Sequence, residues 1–258
     1  MRNKLTDELA VCGMNAALAA AQYHPQAINR LFLREDRLQF FTGICKQLAE
    51  RKRPYKICED EELERLCKSV HHQGVVAMIE EPVVEPLSQE DLDLWAGERK
   101  TGVVLNSIGN DHNLGAIARA AAFFDASFLV LTEKDTAFNE EEVRLTTSAY
   151  RIAEGGFEHL TVRRVKNTAA FLRDASKLLL TIGTDTRARR RISDLKSIVK
   201  TGKSRKGVAI VLGNEETGLP QNVKDQCSCL LRIPGTGNID SLNVSQAAAL
   251  FLHAIFEA

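Results

Sequence analysis

The sequence predicts an α/β protein with two domains. Short apolar runs typical of buried strands alternate with helical segments along most of the chain, and polar or glycine-rich loops follow several of these runs. A length of 258 residues is enough for one large or two modest domains. An acidic stretch at 82–98 interrupts the alternation. We therefore predict a first domain at 1–81, a linker at 82–98 and a second domain at 99–258.

The first domain, residues 1–81, is predicted to be a small α/β unit. The spacing of apolar residues predicts helices at 8–21, 37–53 and 59–68. Gly13 is an exception inside the first helix, and Pro54 ends the second. Strands are predicted at 28–33, 55–58 and 75–79. His71 and His72 are predicted to be turn residues.

Residues 82–98 are predicted to link the domains. They contain Pro82, Pro86 and five acidic residues but no basic residue. Ser88 and Asp91 have the spacing of a helix-capping pair, which predicts a short helix that carries Trp95. We expect Trp95 to pack on one of the two domains.

The second domain, residues 99–258, is predicted to contain a mostly parallel sheet with helices on both faces, because strands and helices alternate. Its predicted strands are 103–105, 128–131, 160–165, 178–182, 208–212 and 229–233. Its predicted helices are 113–124, 139–150, 168–176 and 243–256. The segment 184–206 is polar and rich in arginine.

Composition and motifs argue against several classes of protein. No apolar run reaches the roughly 18 residues that span a bilayer, and the first residues lack the apolar core of a signal peptide. We therefore expect a cytoplasmic protein that does not enter a membrane. The six cysteines lack the spacing of zinc ligands, which predicts reduced thiols and no metal. Neither a phosphate-binding loop nor a G-x-S-x-G motif is present.

Four polar or glycine-rich loops follow predicted strands of the second domain. They are residues 106–119, 183–185, 213–218 and 234–243. In an open α/β sheet, such loops meet outside the carboxyl ends of the strands, where small ligands bind. Leu212, Ile233 and Leu242 could supply apolar walls. A plain turn is the alternative for any single glycine, but the convergence of four loops favours a small-molecule site.

Basic side chains of the second domain suggest a second ligand. Arg119 lies among alanines in a predicted helix, where it either forms an ion pair at an interface or faces a reacting oxygen or phosphate. Residues 187–206 contain nine Lys or Arg and a single acid, Asp194. This segment is either a solvated loop or a contact for a phosphate backbone. Its position beside the expected crevice favours the second interpretation.

Three of these loops resemble the signature motifs of the SpoU family, in the SPOUT superfamily of S-adenosyl-L-methionine-dependent RNA ribose 2′-O-methyltransferases. The matching stretches are NDHNLGAIAR at 110–119, VLGNEETGLP at 211–220 and the segment 233–245, which ends in DSLNVS. Three such motifs in this order are highly specific. The first eighty residues resemble the family's L30e-like substrate-binding domain, ending in HQGVVA at 72–77. Within the family, the chain is most similar to a bacterial branch described only as tRNA/rRNA methyltransferases.

The resemblance implies an L30e-like N-terminal domain and a SPOUT α/β-knot domain with a C-terminal trefoil knot. Chain-topology rules alone would not propose a knot. It also implies a homodimer that forms through the knot region, and rRNA or tRNA as the partner. By match, the residues that contact S-adenosyl-L-methionine, largely through their backbone, are Thr184, Leu212, Gly213, Gly218, Ile233 and Leu242.

The remaining motif positions are the implied catalytic residues. They are Asn113, Arg119, Glu215, Ser241 and Asn243. Arg119 would stabilise the developing ribose oxyanion, across the dimer interface, while water or a phosphate takes the proton. Ser241 and Asn243 would orient the ribose or the arginine.

One departure from the family pattern concerns the turn at 153–156. Many relatives have a Ser-Ala-Gly-Ala-like turn there, and Glu154 instead puts an acid on the expected RNA side. The leading hypothesis is ribose methylation in rRNA or tRNA. The alternatives are a catalytically inactive RNA-binding or ribosome-assembly protein that kept the fold, and methylation of a base.

Overall fold

The computed structural model describes residues 8–108, 110–133, 145–201 and 207–258. These residues form an α/β fold that divides into two compact units. The first unit contains residues 8–83 and 145–159, and the second contains residues 84–133 and the described part of 160–258. None of the helices in these ranges has both the length and the apolar character needed to cross a membrane.

The described residues form twelve strands and ten α-helices. The strands are β1 (Glu8–Cys12), β2 (Ile28–Leu33), β3 (Tyr55–Ile57), β4 (Val75–Glu80), β5 (Glu85–Pro86), β6 (Thr101–Leu105), β7 (Phe128–Thr132), β8 (Thr161–Val165), β9 (Leu180–Thr184), β10 (Arg190–Arg191), β11 (Val208–Leu212) and β12 (Cys229–Arg232). The helices are α1 (Met14–Tyr23), α2 (Leu38–Glu50), α3 (Asp60–Cys67), α4 (Gln89–Gly97), α5 (Asp111–Phe123), α6 (Thr147–Ala153), α7 (Thr168–Leu178), α8 (Leu195–Thr201), α9 (Gln221–Lys224) and α10 (Val244–Phe256).

The first unit is built on a four-stranded sheet with the order β1-β4-β2-β3. β4 pairs antiparallel with both β1 and β2, and β3 pairs parallel with β2. Helix α3 buries Leu63 against Cys12 and Val76 on one face of this sheet. The core of this unit is therefore formed by short strands covered by amphipathic helices, as the sequence predicted.

The chain start corrects one prediction. Residues 8–12, predicted as the beginning of a helix, form strand β1, which pairs antiparallel with β4 along its whole length. Gly13 separates the strand from α1 with a φ of 98°, a conformation that favours glycine. The prediction was wrong because pairing with β4, whose partner residues are 64 to 72 positions further along the chain, overrides the local helical pattern.

The second unit is built on an eight-stranded sheet with the order β10-β12-β9-β11-β6-β7-β8-β5. Every neighbouring pair in it is parallel. β11 is buried along its whole length, as expected for a central strand covered on both faces. Helices α4, α7 and α9 contribute to the core on one face, and α5 packs on α10, which lies against β11. The predicted parallel α/β sheet is thus confirmed.

Residues 82–98, predicted as a linker, contribute two elements to the second unit. β5 extends the sheet by pairing with β8, and Ser88 caps α4 by accepting a hydrogen bond of 3.1 Å from the backbone N–H of Asp91. Trp95 is only 2% exposed and stacks on Phe128 with 3.9 Å between ring centroids. The segment is therefore anchored through its aromatic side chain in the core of the second unit.

The chain between β7 and β8 also differs from prediction. Part of the predicted helix 139–150 lies outside the described residues, and the helix that is described, α6, packs on β1 in the first unit. Glu154 follows α6 in a left-handed conformation with a φ of 47° and accepts a hydrogen bond of 3.0 Å from the Asn15 side chain. Glu154 therefore has a structural partner in the unit where it lies.

Candidate active site

Several predicted cofactor residues lie along one edge of the large sheet. β12, β9 and β11 are neighbours, and all run in the same direction. Thr184 at the end of β9 is in register with Leu231, one residue before the end of β12. Leu212 ends β11 on the other side, and Ile233 directly follows β12. Since neighbouring strands are about 4.8 Å apart, these carboxyl ends form one continuous edge.

Asn214 shapes the loop that follows β11. Its side-chain oxygen accepts hydrogen bonds from the backbone N–H groups of Glu216 at 2.9 Å and Thr217 at 3.2 Å. Its side-chain nitrogen donates to the backbone oxygen of Ser107 at 3.1 Å, which joins this loop to the loop after β6. Asn214 belongs to the matched stretch 211–220, but no role was predicted for it from the sequence. Its role could have been predicted, because an asparagine side chain often accepts a hydrogen bond from the backbone two residues further on.

The two glycines of this loop serve different purposes. A Cβ on Gly213 would lie 2.3 Å from the carbonyl carbon of Gly218, so no larger residue fits without moving the loop. Gly218 has open space where a Cβ would stand, but its φ of 68° favours glycine. Gly213 therefore permits close backbone approach, and Gly218 permits the turn.

A hydrogen-bonded group connects residues from all three matched stretches. The Asn113 side-chain nitrogen donates to a carboxylate oxygen of Glu215, and the Asn113 side-chain oxygen accepts from the Asn243 side-chain nitrogen at 3.0 Å. Asn113 is 5% exposed, while Glu215 and Asn243 are exposed. We call these residues the Asn113 triad. Asn113 therefore joins α5 to the loop after β11 and to the start of α10.

The C-terminal loop leads into helix α10. Asn243 caps this helix, because its side-chain oxygen accepts hydrogen bonds from the Ser245 backbone N–H at 2.8 Å and hydroxyl at 2.6 Å. Ser241 and Leu242 lie just before the cap, and both are exposed. Their position beside the Asn113 triad is thus fixed through the cap, and their side chains face solvent.

Thr184 is held by the neighbouring strand β11, and Asp185 by a lysine of helix α9. The Thr184 hydroxyl donates to the backbone oxygen of Val211 at 3.2 Å. The Asp185 carboxylate forms an ion pair of 2.8 Å with Lys224. Partial burial opposes ionisation of Asp185, but the hydrogen bonds from Lys224 and from the Arg187 backbone outweigh it, so the Asp185 pKa is lowered. Lys224 was not singled out from the sequence, since no spacing rule relates it to Asp185.

Arg119 lies on the exposed side of α5. It is six residues beyond the buried Asn113, which places the two side chains about 120° apart around the helix. Phe123, one turn further on the same side, is 80% exposed. Arg119 therefore lies on a face with apolar character, away from the direction in which Asn113 points.

The cysteines and other potential metal ligands form neither disulfides nor a metal-binding cluster in the described part of the chain. All six cysteines are free, and burial raises the pKa of the Cys227 thiol to about 12, so this thiol is protonated at neutral pH. Within the described ranges, no three His, Cys, Asp or Glu side chains come together as a set of metal ligands.

Comparisons with known proteins identify the family. The model of the SpoU rRNA Methylase family matches residues 100–253, and a model for RNA 2′-O ribose methyltransferase substrate binding matches residues 10–85. The "uncharacterized tRNA/rRNA methyltransferase YfiF" of Escherichia coli O157:H7 is 30% identical, covering 98% of this chain and 69% of its own. The 23S rRNA (guanosine-2′-O-)-methyltransferase RlmB of Bordetella pertussis is 29% identical, covering 94% of each chain.

A solved structure shares the fold. The SpoU methyltransferase AviRb of Streptomyces viridochromogenes, crystallised in complex with the cofactor AdoMet, superposes with a TM-score of 0.72 at 19% identity. The match covers 98% of this chain and 91% of AviRb. With a family model that spans more than half of its length, the chain belongs to the SpoU rRNA methylase family.

Proposed function

We propose that this protein transfers the methyl group of S-adenosyl-L-methionine to a ribose 2′-hydroxyl of rRNA or tRNA. The Asn113 triad is the observation that carries the proposal, because it joins one residue from each of the three matched stretches. Family membership supports the reaction type, and two relatives carry names of tRNA/rRNA or 23S rRNA methyltransferases.

The edge formed by β12, β9 and β11 suits S-adenosyl-L-methionine. Gly235 and Gly237 have nothing within 4 Å of where a Cβ would stand, so their backbone is open to a ligand. We propose that the cofactor is held, largely by backbone, at Thr184, Leu212, Gly213, Gly218, Ile233 and Leu242. When bound, S-adenosyl-L-methionine supplies an electrophilic methyl group on a positively charged sulfur.

We assign the chemistry of the ribose hydroxyl to Arg119. A 2′-hydroxyl is a weak nucleophile at neutral pH, and a guanidinium beside it stabilises the negative charge that develops on its oxygen. A guanidinium is too basic to accept the proton, so a water molecule or a phosphate oxygen takes it. Ser241 and Asn243 orient the ribose, and Asn113 with Glu215 keeps the two loops in place.

The same proposal includes a homodimer. Besides Phe123, the exposed apolar side chains near the α5–α10 pair include Leu250 and Phe256, the latter 61% exposed. Phe124, on α5's C-cap, has its ring 6.1 Å from that of Phe256, which supports a continuous apolar face across both helices. A second copy that covers this face would bring its Arg119 toward the partner's ribose site.

The remaining parts of the proposal concern the domains. We propose that residues 1–81 form an L30e-like domain that binds the RNA substrate, with 82–98 leading into a methyltransferase domain at 99–258. We propose further that the chain around 212–218 and 233–243 forms a trefoil knot, as the matched motifs imply. We also propose a cytoplasmic location, where an rRNA or tRNA substrate would be available.

A methyl-transfer assay tests the reaction. The protein is incubated with tritiated S-adenosyl-L-methionine and total RNA from cells that lack it, and the RNA is digested to nucleosides. Label in a 2′-O-methylnucleoside is the expected result, and Arg119→Ala should reduce it at least 100-fold while cofactor affinity in calorimetry changes less than about twofold. Label in a base would support base methylation instead. Absence of cofactor binding by the wild-type protein would favour the inactive RNA-binding alternative.

Mixed dimers test whether Arg119 acts across the interface. Arg119→Ala and Gly213→Ala subunits are co-refolded in equal amounts and assayed at an S-adenosyl-L-methionine concentration at which neither homodimer is active. If Arg119 serves the partner's site, each heterodimer contains one intact site, and about a quarter of wild-type activity returns for random pairing of a symmetric dimer. If Arg119 serves its own subunit, no activity returns.

A further inference from the structure

Five arginines gather at the end of the large sheet where β10 lies. Arg187 and Arg189 precede this strand, Arg190 and Arg191 form it, and Arg232 ends the neighbouring β12. The first four are exposed and Arg232 is half-buried. We call these five residues the arginine rim. Because β10 is the outermost strand, one side of it is open to solvent.

The strand register relates the rim to the proposed cofactor edge. Arg190 pairs with Leu231, and Leu231 pairs with Thr184. With about 4.8 Å between neighbouring strands, the Arg190 backbone lies about 10 Å from that of Thr184. A ligand whose phosphates repeat every few ångströms can therefore reach from the rim to the cofactor edge.

Nearby acids balance only part of the charge of the rim, since Arg187 lies near enough to Asp185 to help lower the pKa of that carboxyl. Asp185 is paired with Lys224, and Asp194 accepts a hydrogen bond of 2.9 Å from the Arg191 backbone N–H. Within residues 8–108, 110–133, 145–201 and 207–258, none of the five guanidinium groups forms an ion pair. Arg191 and Arg232 lie directly opposite each other in register. Like charges on neighbouring strands repel each other, and an anion bound between them would relieve this repulsion.

Protection of a sheet edge is the simplest alternative explanation for charge on β10. A single lysine or arginine is enough to prevent pairing with another strand, so this explanation leaves four of the five residues unexplained. Planar guanidinium groups bind phosphate oxygens in a bidentate manner. A row of arginines is therefore better suited than a row of lysines to binding a polyanion.

We propose that the arginine rim binds the phosphodiester backbone of the RNA that flanks the methylated ribose. The proposal rests on the proposed function, since it names the surface along which the substrate approaches the site. The rim holds the RNA by charge and geometry, and it makes no contribution to cofactor binding.

The salt dependence of RNA binding tests this proposal without turnover. The affinity for a fluorescein-labelled 20-nucleotide RNA hairpin is measured by anisotropy between 50 and 300 mM KCl, for wild type and for Arg189→Ala/Arg190→Ala/Arg191→Ala. If each of the three arginines contacts one phosphate, the slope of log K against log salt becomes less negative by about 2–3, which lowers the affinity about 100- to 500-fold near 0.1 M salt. Calorimetry should give an unchanged affinity for S-adenosyl-L-methionine.

Two further variants make the result specific. Lys166→Ala/Arg173→Ala/Lys177→Ala removes three positive charges from exposed positions near and on α7 in the same unit and should keep the wild-type slope. Replacing Arg189, Arg190 and Arg191 by lysine should keep most of the salt dependence while weakening RNA binding severalfold, because charge is retained and bidentate contact is lost.

The outcomes separate this proposal from the proposed function. A wild-type slope and affinity in the alanine variant would overturn the rim proposal, even if the enzyme methylates RNA. A loss of cofactor affinity with unchanged RNA affinity would also overturn it, because the arginines would then serve the cofactor. A reduced slope in a protein that never methylates RNA would support the rim and refute the proposed reaction.

Discussion

Replacement of Asn113 by aspartate tests the importance of the Asn113 triad. The new side chain has nearly the same shape, so packing around this buried position is preserved. It can still accept the hydrogen bond from Asn243, but it can no longer donate to Glu215. Two carboxylates then face each other where the wild-type protein has a donor and an acceptor.

The expected loss of stability follows from this geometry. Two like charges about 4 Å apart repel by about 1 kcal/mol in water and about 4 kcal/mol at an effective dielectric constant of 20. Asn113 is buried and Glu215 is exposed, so an intermediate value of about 2–3 kcal/mol applies, including the lost hydrogen bond. For a unit of this size, that lowers the melting temperature by roughly 4–12 °C.

Trp95 offers a local assay. It is the sole tryptophan, and it is buried in the core of the second unit, so its fluorescence reports the unfolding of that unit. The repulsion raises the folded-state pKa of the introduced carboxyl above its unfolded value near 3.9. The loss relative to wild type should therefore be absent below about pH 4 and should grow as the pH rises toward 7.

A second substitution provides the matched control. In Asn113→Asp/Glu215→Gln the donor and the acceptor are exchanged, so the hydrogen bond returns and most of the stability at pH 7 should be recovered. Wild-type melting at pH 7 for the single variant, or a deficit that the double variant does not recover, would refute the role given to this group.

Three further predictions concern the edge and its loops. Gly213→Ala should lower the affinity for S-adenosyl-L-methionine at least tenfold in calorimetry because its Cβ collides with the Gly218 backbone, whereas Gly218→Ala should cost about 1–2 kcal/mol of stability through its positive φ alone. Thr184→Val should lose about 1 kcal/mol of stability but change cofactor affinity less than twofold, since we propose backbone contact there. Asp185→Asn should make the free energy of unfolding fall less steeply as the pH is lowered. The wild-type carboxyl has a lowered pKa, so its pairing with Lys224 stabilises the fold above about pH 4 and is lost as the pH falls.

The sheet of the second unit was largely predictable because its central strands β11, β6 and β7 are almost completely buried. Such strands appear as continuous apolar runs, and the predicted limits of β11 match the structure at both ends. The edge strands β5 and β10 have two residues each and carry no periodic signal. They depend on pairing with β8 and β12, which only the folded chain defines.

The Asn113 triad illustrates what spacing alone cannot supply. Asn113 and Glu215 are 102 residues apart, and Asn113 and Asn243 are 130 apart. The alternation of strands and loops indicated only that these loops lie close together, and the family motifs indicated that the three residues belong to one site. The part played by Asn214 in shaping its loop was missed because its bonds to backbone depend on the conformation of Ser107 and the loop itself.

The central claim, ribose methylation that depends on this protein, is tested most directly by mapping 2′-O-methylated nucleotides. The maps of rRNA and tRNA are compared between wild-type cells, deletion cells and deletion cells that express Arg119→Ala. We expect at least one nucleotide that is methylated in wild-type cells and unmethylated in the other two strains. Identical maps in all three strains would contradict it.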